Sequence, residues 1–120
     1  MLPQQSLPMP ASWRDLLEVC RPAFKRASTF ALFTLVVSGM VLSVRRRTVA
    51  GMLAASGLAR VVSFHRCCRF FSHAVWNADA LGLTVARHIV DRLLPAGAPV
   101  EVVVDETLFK RWGRRVFKAL

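Results

Sequence analysis

Apolar and polar residues follow a helical repeat through residues 64–75. Apolar side chains recur at the i, i+3, i+4, i+7 spacing of one helix face, at Phe64, Cys67, Cys68, Phe71 and Val75. The positions between them are polar or basic, at Arg66, Arg69, Ser72 and His73. This pattern predicts an amphipathic helix whose apolar row is buried and whose outer face is basic.

A second and longer helical pattern covers residues 77–94. Asn77 can cap this helix, because its side chain can accept a hydrogen bond from a free backbone N–H of the first turn. The apolar row has a residue at every fourth position, at Leu81, Val85, Ile89 and Leu93. The opposite face is polar, at Thr84, Arg87, His88 and Asp91. We expect the apolar row to pack into the core and the polar row to face solvent.

Two shorter helices are predicted nearer the amino terminus. Ser12 is placed to cap a helix over residues 13–26, in which Pro22 would produce a kink or a restart. Thr48 is placed to cap a helix through Ser56, and Gly57 would end it.

Residues 27–44 run without a charge and allow two interpretations. Eighteen uncharged residues just reach the length of a membrane-spanning helix, which would make the chain a small basic membrane-associated protein. However, the segment contains several Ser and Thr residues, and basic residues flank it at both ends, so no charge bias orients it. We therefore favour a buried core helix.

The pattern changes after residue 94. Pro95, Gly97 and Pro99 interrupt the helical repeat, and residues 100–104 are β-branched except for one Glu. They predict a buried strand that ends at Asp105, with Gly113 turning a hairpin. The fold class predicted is mainly α: an amino-terminal helical bundle followed by the first strand and hairpin of an incomplete α/β domain.

Charge and cysteine content narrow the functional classes. Seventeen Lys and Arg residues against seven Asp and Glu give a net charge of +10, which favours a polyanionic partner such as nucleic acid. Three cysteines cannot all pair within the chain, and this favours a reducing, cytoplasmic location. The first ten residues have no positive charge and three prolines, so we expect residues 1–11 to be a disordered tail rather than a secretory signal.

The basic residues supply candidates for DNA contact. The helices predicted at 48–56 and 63–76 form a helix-turn-helix-like pair within a helical region, residues 12–94, although both could simply pack the bundle. The DNA-binding candidates are His65, Arg66 and Arg69 on the second helix, and Arg45, Arg46, Arg47, Lys110, Arg111, Arg114 and Arg115 elsewhere. His65, Cys68 and His73 lack a second ligand pair at zinc-finger spacing, so we do not predict a zinc site there.

Asp105 is the candidate catalytic residue. A carboxylate fixed at the end of a strand can hold a divalent cation against a phosphate, and two-metal phosphoryl transfer requires several such carboxylates. The alternative is that Asp105 and Glu106 begin an ordinary polar turn.

The residues on both sides of Asp105 resemble a motif of a known protein family. The run VVVDETLFKRWGRRV at residues 102–116 closely resembles the start of the catalytic domain in one group of bacterial insertion-sequence transposases of the DDE, RNase H-like type. In that family a valine-rich strand ends in the first Asp of the DDE set. RTVAGML at 47–53, HR at 65–66 and FFSHAVW at 70–76 are also similar to its helical amino-terminal region, so the resemblance covers about residues 41–116.

The resemblance implies a function and also a deficiency. Asp105 would be the first Mg²⁺-binding carboxylate of an RNase H-like nuclease that cuts and rejoins transposon ends, with residues 99–120 forming the start of a truncated catalytic domain. The family's second Asp and its Glu lie further along a longer chain. We therefore expect a transposase fragment that binds DNA, binds no Mg²⁺ and is inactive alone, and that self-associates through the edge of its unfinished sheet.

Overall fold

The computed structural model describes residues 9–106, which form five α-helices and one 3₁₀ turn. The helices are α1 (Ala11–Val19), α2 (Ala27–Leu42), α3 (Val49–Ala55), α4 (Phe64–Ser72) and α5 (Ala78–Leu93), and the 3₁₀ turn at Arg21–Ala23 follows α1. Pro22 lies in that turn, so the helix predicted over residues 13–26 ends at Val19 and restarts only as this short 3₁₀ turn. The prediction of a mainly helical fold is confirmed for the described residues.

Helix α2 lies at the centre of the core. Its buried side chains include Leu32, Phe33, Leu35 and Val36. It passes so close to α3 that a Cβ atom at Gly39 would overlap the backbone carbonyl of Met52. Residues 27–42 of this segment thus form the core helix that we favoured, and no helix within residues 9–106 has the length and apolarity needed to cross a bilayer.

An aromatic cluster joins the 3₁₀ turn, α2 and α4. The ring of Phe24 lies 4.7 Å from that of Phe33 and 5.8 Å from that of Trp76, between centroids. Trp76 in turn stacks on Phe70 at 5.4 Å. On the other side of α2, the indole N–H of Trp13 donates to Ser38 Oγ at 2.9 Å. Both tryptophans therefore pack the fold.

Two of the three predicted N-caps are confirmed, at Thr48 and Asn77, and Ser63 caps α4 without having been predicted. The side chains of Thr48, Ser63 and Asn77 accept backbone N–H groups of their first turns at 3.1, 3.2 and 2.9 Å. The prediction for Ser12 is wrong, because α1 begins two residues earlier than predicted, at Ala11, and the carbonyl of Pro10 accepts its first hydrogen bonds. Met9 already packs against the core, and residues 1–8 lie outside the described part of the chain.

The strand predicted at residues 100–104 is not formed. These residues have no regular secondary structure, and Val102, Val103 and Val104 are 77%, 92% and 86% exposed. A strand is stable only when it is hydrogen-bonded to neighbouring strands, and no other segment of residues 9–106 adopts strand conformation. The described residues therefore present no strand edge for self-association, while the predicted hairpin around Gly113 lies outside them.

Helix α5 is formed where the sequence predicts it, but its apolar row faces solvent instead of the core. None of its side chains over Ala78–Leu93 is buried, and Val85, Ile89 and Leu93 of the apolar row are 40%, 49% and 75% exposed. The polar residues Thr84 and His88 are half-buried instead. The periodicity identified the helix but not the direction of its apolar face.

Candidate nucleic-acid interface

Positive charge is concentrated in one part of the described chain. Residues 9–76 contain ten Lys or Arg residues against two acidic ones, a balance of +8, whereas residues 77–106 contain two against five, a balance of −3. We call these two regions the helical body and the acidic region. A polyanion is therefore attracted to the helical body and repelled by the acidic region.

Helix α4 presents a polar and basic face to solvent. Each residue of an α-helix turns by about 100°, so His65, Arg69 and Ser72 lie on one side of α4, opposite the buried Cys67 and Phe70. All three are exposed. Arg66 lies at the edge of this face and is half-buried. The structure thus places two of the three predicted α4 candidates, His65 and Arg69, on one side of the helix, with Arg66 at its edge.

The packing behind this face holds α4 in place. Cys67 is completely buried and Phe70 is 3% exposed, while the indole N–H of Trp76 donates to the carbonyl of Phe70 at 3.4 Å. The helical repeat predicts that Phe71 lies in the buried row, but Phe71 is 53% exposed. Phe70 and Phe71 are adjacent and have the same side chain, so only the position of Trp76 determines which of the two is buried. Val62, which is 2% exposed, was also not predicted to be buried, and it packs the connection before α4 into the core.

The connection between α2 and α3 carries the second group of cations. Arg45, Arg46 and Arg47 are all exposed. Arg47 Nε donates to the carbonyl of Met40 at 3.2 Å, which ties one guanidinium to the end of α2. Arg60, in the connection between α3 and α4, is also exposed and was missed as a candidate, although it is a lone cation in a predicted loop.

Helices α3 and α4 pack against each other and against α2. Residues 56–63 connect them, a longer link than the usual turn of three or four residues in a helix-turn-helix. The second residue of this link, Gly57, has a φ of 74°, which is a left-handed conformation that favours glycine. Within α3 no residue is charged, so the cations of this helix pair lie on α4 and on the connections.

The polar side chains near the end of α4 do not form a metal site. His73 Nδ1 lies 2.6 Å from Ser72 Oγ, which also donates to the carbonyl of Cys68 at 3.2 Å. In residues 9–106 no three His, Cys, Asp or Glu side chains are grouped to hold a metal ion. All three cysteines are free. Burial, reinforced by Cys68 and opposed by Arg66, raises the pKa of the Cys67 thiol, which suits a packing role.

Asp105 lies exposed in an irregular segment, followed in the chain by the exposed Glu106. Mg²⁺ takes octahedral oxygen coordination, and two-metal chemistry requires several convergent carboxylates. The donors near Asp105 in the described residues do not meet that requirement. The geometry of Asp105 therefore gives no independent support for a catalytic role, and Lys110, Arg111, Arg114 and Arg115 lie beyond the described residues.

Comparison with known proteins identifies the family of the chain. The model of a family described as DDE superfamily endonuclease matches residues 20–119, which is most of the chain. No curated protein and no solved structure matches the chain significantly. The family match includes α2 to α5 and extends past Asp105.

Proposed function

The chain belongs to the DDE superfamily endonucleases, and on that premise we propose that it is a transposase fragment whose helical body binds the DNA of transposon ends. The observation that carries this proposal is the outer face of α4, where His65 and Arg69 are exposed on a helix held by buried residues on its other side. A fixed cationic helix face can contact phosphates or base edges of a duplex.

The arginines of the α2–α3 connection extend this proposal. Arg45, Arg46 and Arg47 are exposed next to the amino-terminal end of α3. Phosphate contacts from such residues determine affinity and its salt dependence, whereas contacts to base edges determine sequence preference. We assign phosphate contact to the three loop arginines and both kinds of contact to Arg66 and Arg69.

For the catalytic part, we propose that residues 99–120 begin an RNase H-like domain of the insertion-sequence type and that Asp105 is its first carboxylate. Bound Mg²⁺ would polarise a phosphodiester for in-line attack. Asp105 alone does not provide a metal site, because two-metal cleavage requires further carboxylates that converge with it. Three free thiols are compatible with action in a reducing, cytoplasmic setting.

The proposal is tested by fluorescence anisotropy with a labelled duplex at several salt concentrations. Arg69→Gln removes an exposed cation from the α4 face, and Arg87→Gln removes an exposed cation from α5 as the matched control. Loss of one phosphate contact lowers the slope of log K against log salt by about 0.9. We expect that loss for Arg69→Gln and an almost unchanged slope for Arg87→Gln. Equal effects from both variants would contradict an interface on α4.

A further inference from the structure

Two phenylalanine side chains of α4 are exposed, although the helical repeat predicts both in the buried row. Phe64 is 55% exposed and Phe71 is 53% exposed. They are seven residues apart, so they lie within about 20° of each other around the helix and about 10 Å apart along it. We call these two residues the aromatic row. Large apolar side chains that align on one exposed face mark a binding surface, whereas scattered ones do not.

The ring of Phe71 is held in place despite its exposure. It packs edge-on against the buried ring of Phe70, with 5.3 Å between the centroids and 85° between the planes. Phe70 in turn stacks on Trp76. Because Phe71 is fixed by packing on one side and exposed on the other, it loses little conformational freedom when it binds another flat group.

The aromatic row and the cations of α4 form opposite edges of its exposed face. His65 and Arg69 lie about 100° to 160° around the helix from the two phenylalanines, and both are exposed. The smaller side chains of Cys68 and Ser72 lie between the two edges. A helix with its side chains is about 10–12 Å across, so one strand of nucleic acid can lie over both edges. A nucleotide offers a flat base to the rings and a phosphate to the cations.

Only unpaired nucleotides can use both edges. In a duplex the bases stack on each other and present only their edges in the grooves. A phenylalanine ring requires the flat face of a base, which single-stranded DNA exposes. The distance of about 10 Å between the two ring positions corresponds to about three nucleotides at a spacing of roughly 3.4 Å along one strand.

We propose that the α4 face binds single-stranded DNA, with bases stacked on Phe64 and Phe71 and phosphates held by His65 and Arg69. This inference rests on the proposed function and specifies the DNA that the site prefers. A fully paired duplex contacts the cations of α4, whereas a duplex with a single-stranded tail contacts the aromatic row as well. The tailed duplex therefore binds more tightly.

Fluorescence anisotropy with the full chain tests the preference, with a labelled oligothymidine of about twelve nucleotides and the labelled duplex as probes. Phe71→Ala removes one ring at an exposed residue, where truncation costs little stability. Leu83→Ala, at a residue 59% exposed on α5, is the control. We expect Phe71→Ala to weaken oligothymidine binding by roughly fivefold to a hundredfold and to leave duplex binding unchanged. Leu83→Ala should change neither.

Two further variants separate stacking from general apolar contact. Phe71→Tyr keeps an aromatic ring, and Phe71→Leu keeps apolar bulk without one. We expect Phe71→Tyr to bind oligothymidine as the unmodified chain does and Phe71→Leu to bind it as weakly as Phe71→Ala. Circular dichroism shows that each variant is folded.

The outcomes distinguish this inference from the proposed function. If the Phe71 variants all bind oligothymidine normally while Arg69→Gln still weakens duplex binding, the phenylalanines do not contact bases and only the inference is wrong. If neither probe binds the unmodified chain, the proposed function is wrong as well. If Phe71→Ala abolishes self-association and leaves both DNA affinities unchanged, the aromatic row is a protein contact and the inference is overturned.

Discussion

The helical body and the acidic region contain similar proportions of apolar residues but differ in how far they bury them. In the helical body the apolar side chains of α2, α3 and α4 converge on one core, and cations remain on the outside. In the acidic region the apolar side chains of α5 and the valines after it are exposed. The apolar face of an amphipathic helix is therefore buried only where a neighbouring element supplies a complementary surface.

The largest effect is expected from truncating the core side of α4. Phe70→Ala removes a buried ring stacked on Trp76 and should lower the free energy of unfolding by about 3–5 kcal/mol. Phe71→Ala, at a residue 53% exposed, should cost less than about 1 kcal/mol. Urea unfolding followed by circular dichroism measures both. A larger loss for Phe71→Ala would mean that α4 is rotated to the face first predicted from the sequence.

A glycine in each region gives the next test. Gly39→Ala forces a methyl group against the backbone of Met52 and should destabilise the chain by about 1–3 kcal/mol. Gly82→Ala, where no atom lies within 4 Å of the added Cβ, should instead stabilise α5 by about 0.5–1 kcal/mol. Thermal unfolding of the two variants should thus shift in opposite directions. A stabilised Gly39→Ala would contradict the close crossing of α2 and α3.

The N-caps give a smaller effect. Ser63→Ala removes the acceptor of the Arg66 backbone N–H and should cost about 1 kcal/mol of stability. Ser12→Ala should leave stability within about 0.5 kcal/mol, because Ser12 is an exposed residue inside α1 rather than its cap. The same urea titration compares them. An equal loss of stability for Ser12→Ala would show instead that Ser12 is the N-cap of the first helix.

The smallest effect concerns thiol chemistry within the helical body. Burial raises the pKa values of the Cys20 and Cys67 thiols, so at a given pH each has less of the reactive thiolate. Cys68 is half-buried and should be alkylated by iodoacetamide first, as read by peptide mass spectrometry. Rapid labelling of Cys67 in the folded chain would show that the core beneath α4 is open.

Local sequence signals predicted the helices of the body well. The cap at Thr48 depends only on a residue three positions away, and the uncharged run of residues 27–44 required only a choice between a core helix and a membrane span. Phe70 could not be distinguished from Phe71, since that choice depends on where Trp76 packs after the chain turns. Tertiary position, rather than periodicity, decides such cases.

The candidate site was predictable to a different degree. His65 and Arg69 were identified because basic residues recur on one helix face, and the structure places both in solvent. Asp105 was identified by its resemblance to a family motif, and the family match extends over it. The strand expected before it was wrong because valine content shows a preference for β structure but does not supply the neighbouring strands that it needs.

Hydrogen exchange with and without a saturating duplex tests the central claim most directly, that DNA binds the helical body through α4. The account predicts slower exchange in α4 and in the α2–α3 connection when DNA is present, with α5 unchanged. Protection confined to α5, with α4 exchanging as in the free chain, would contradict it.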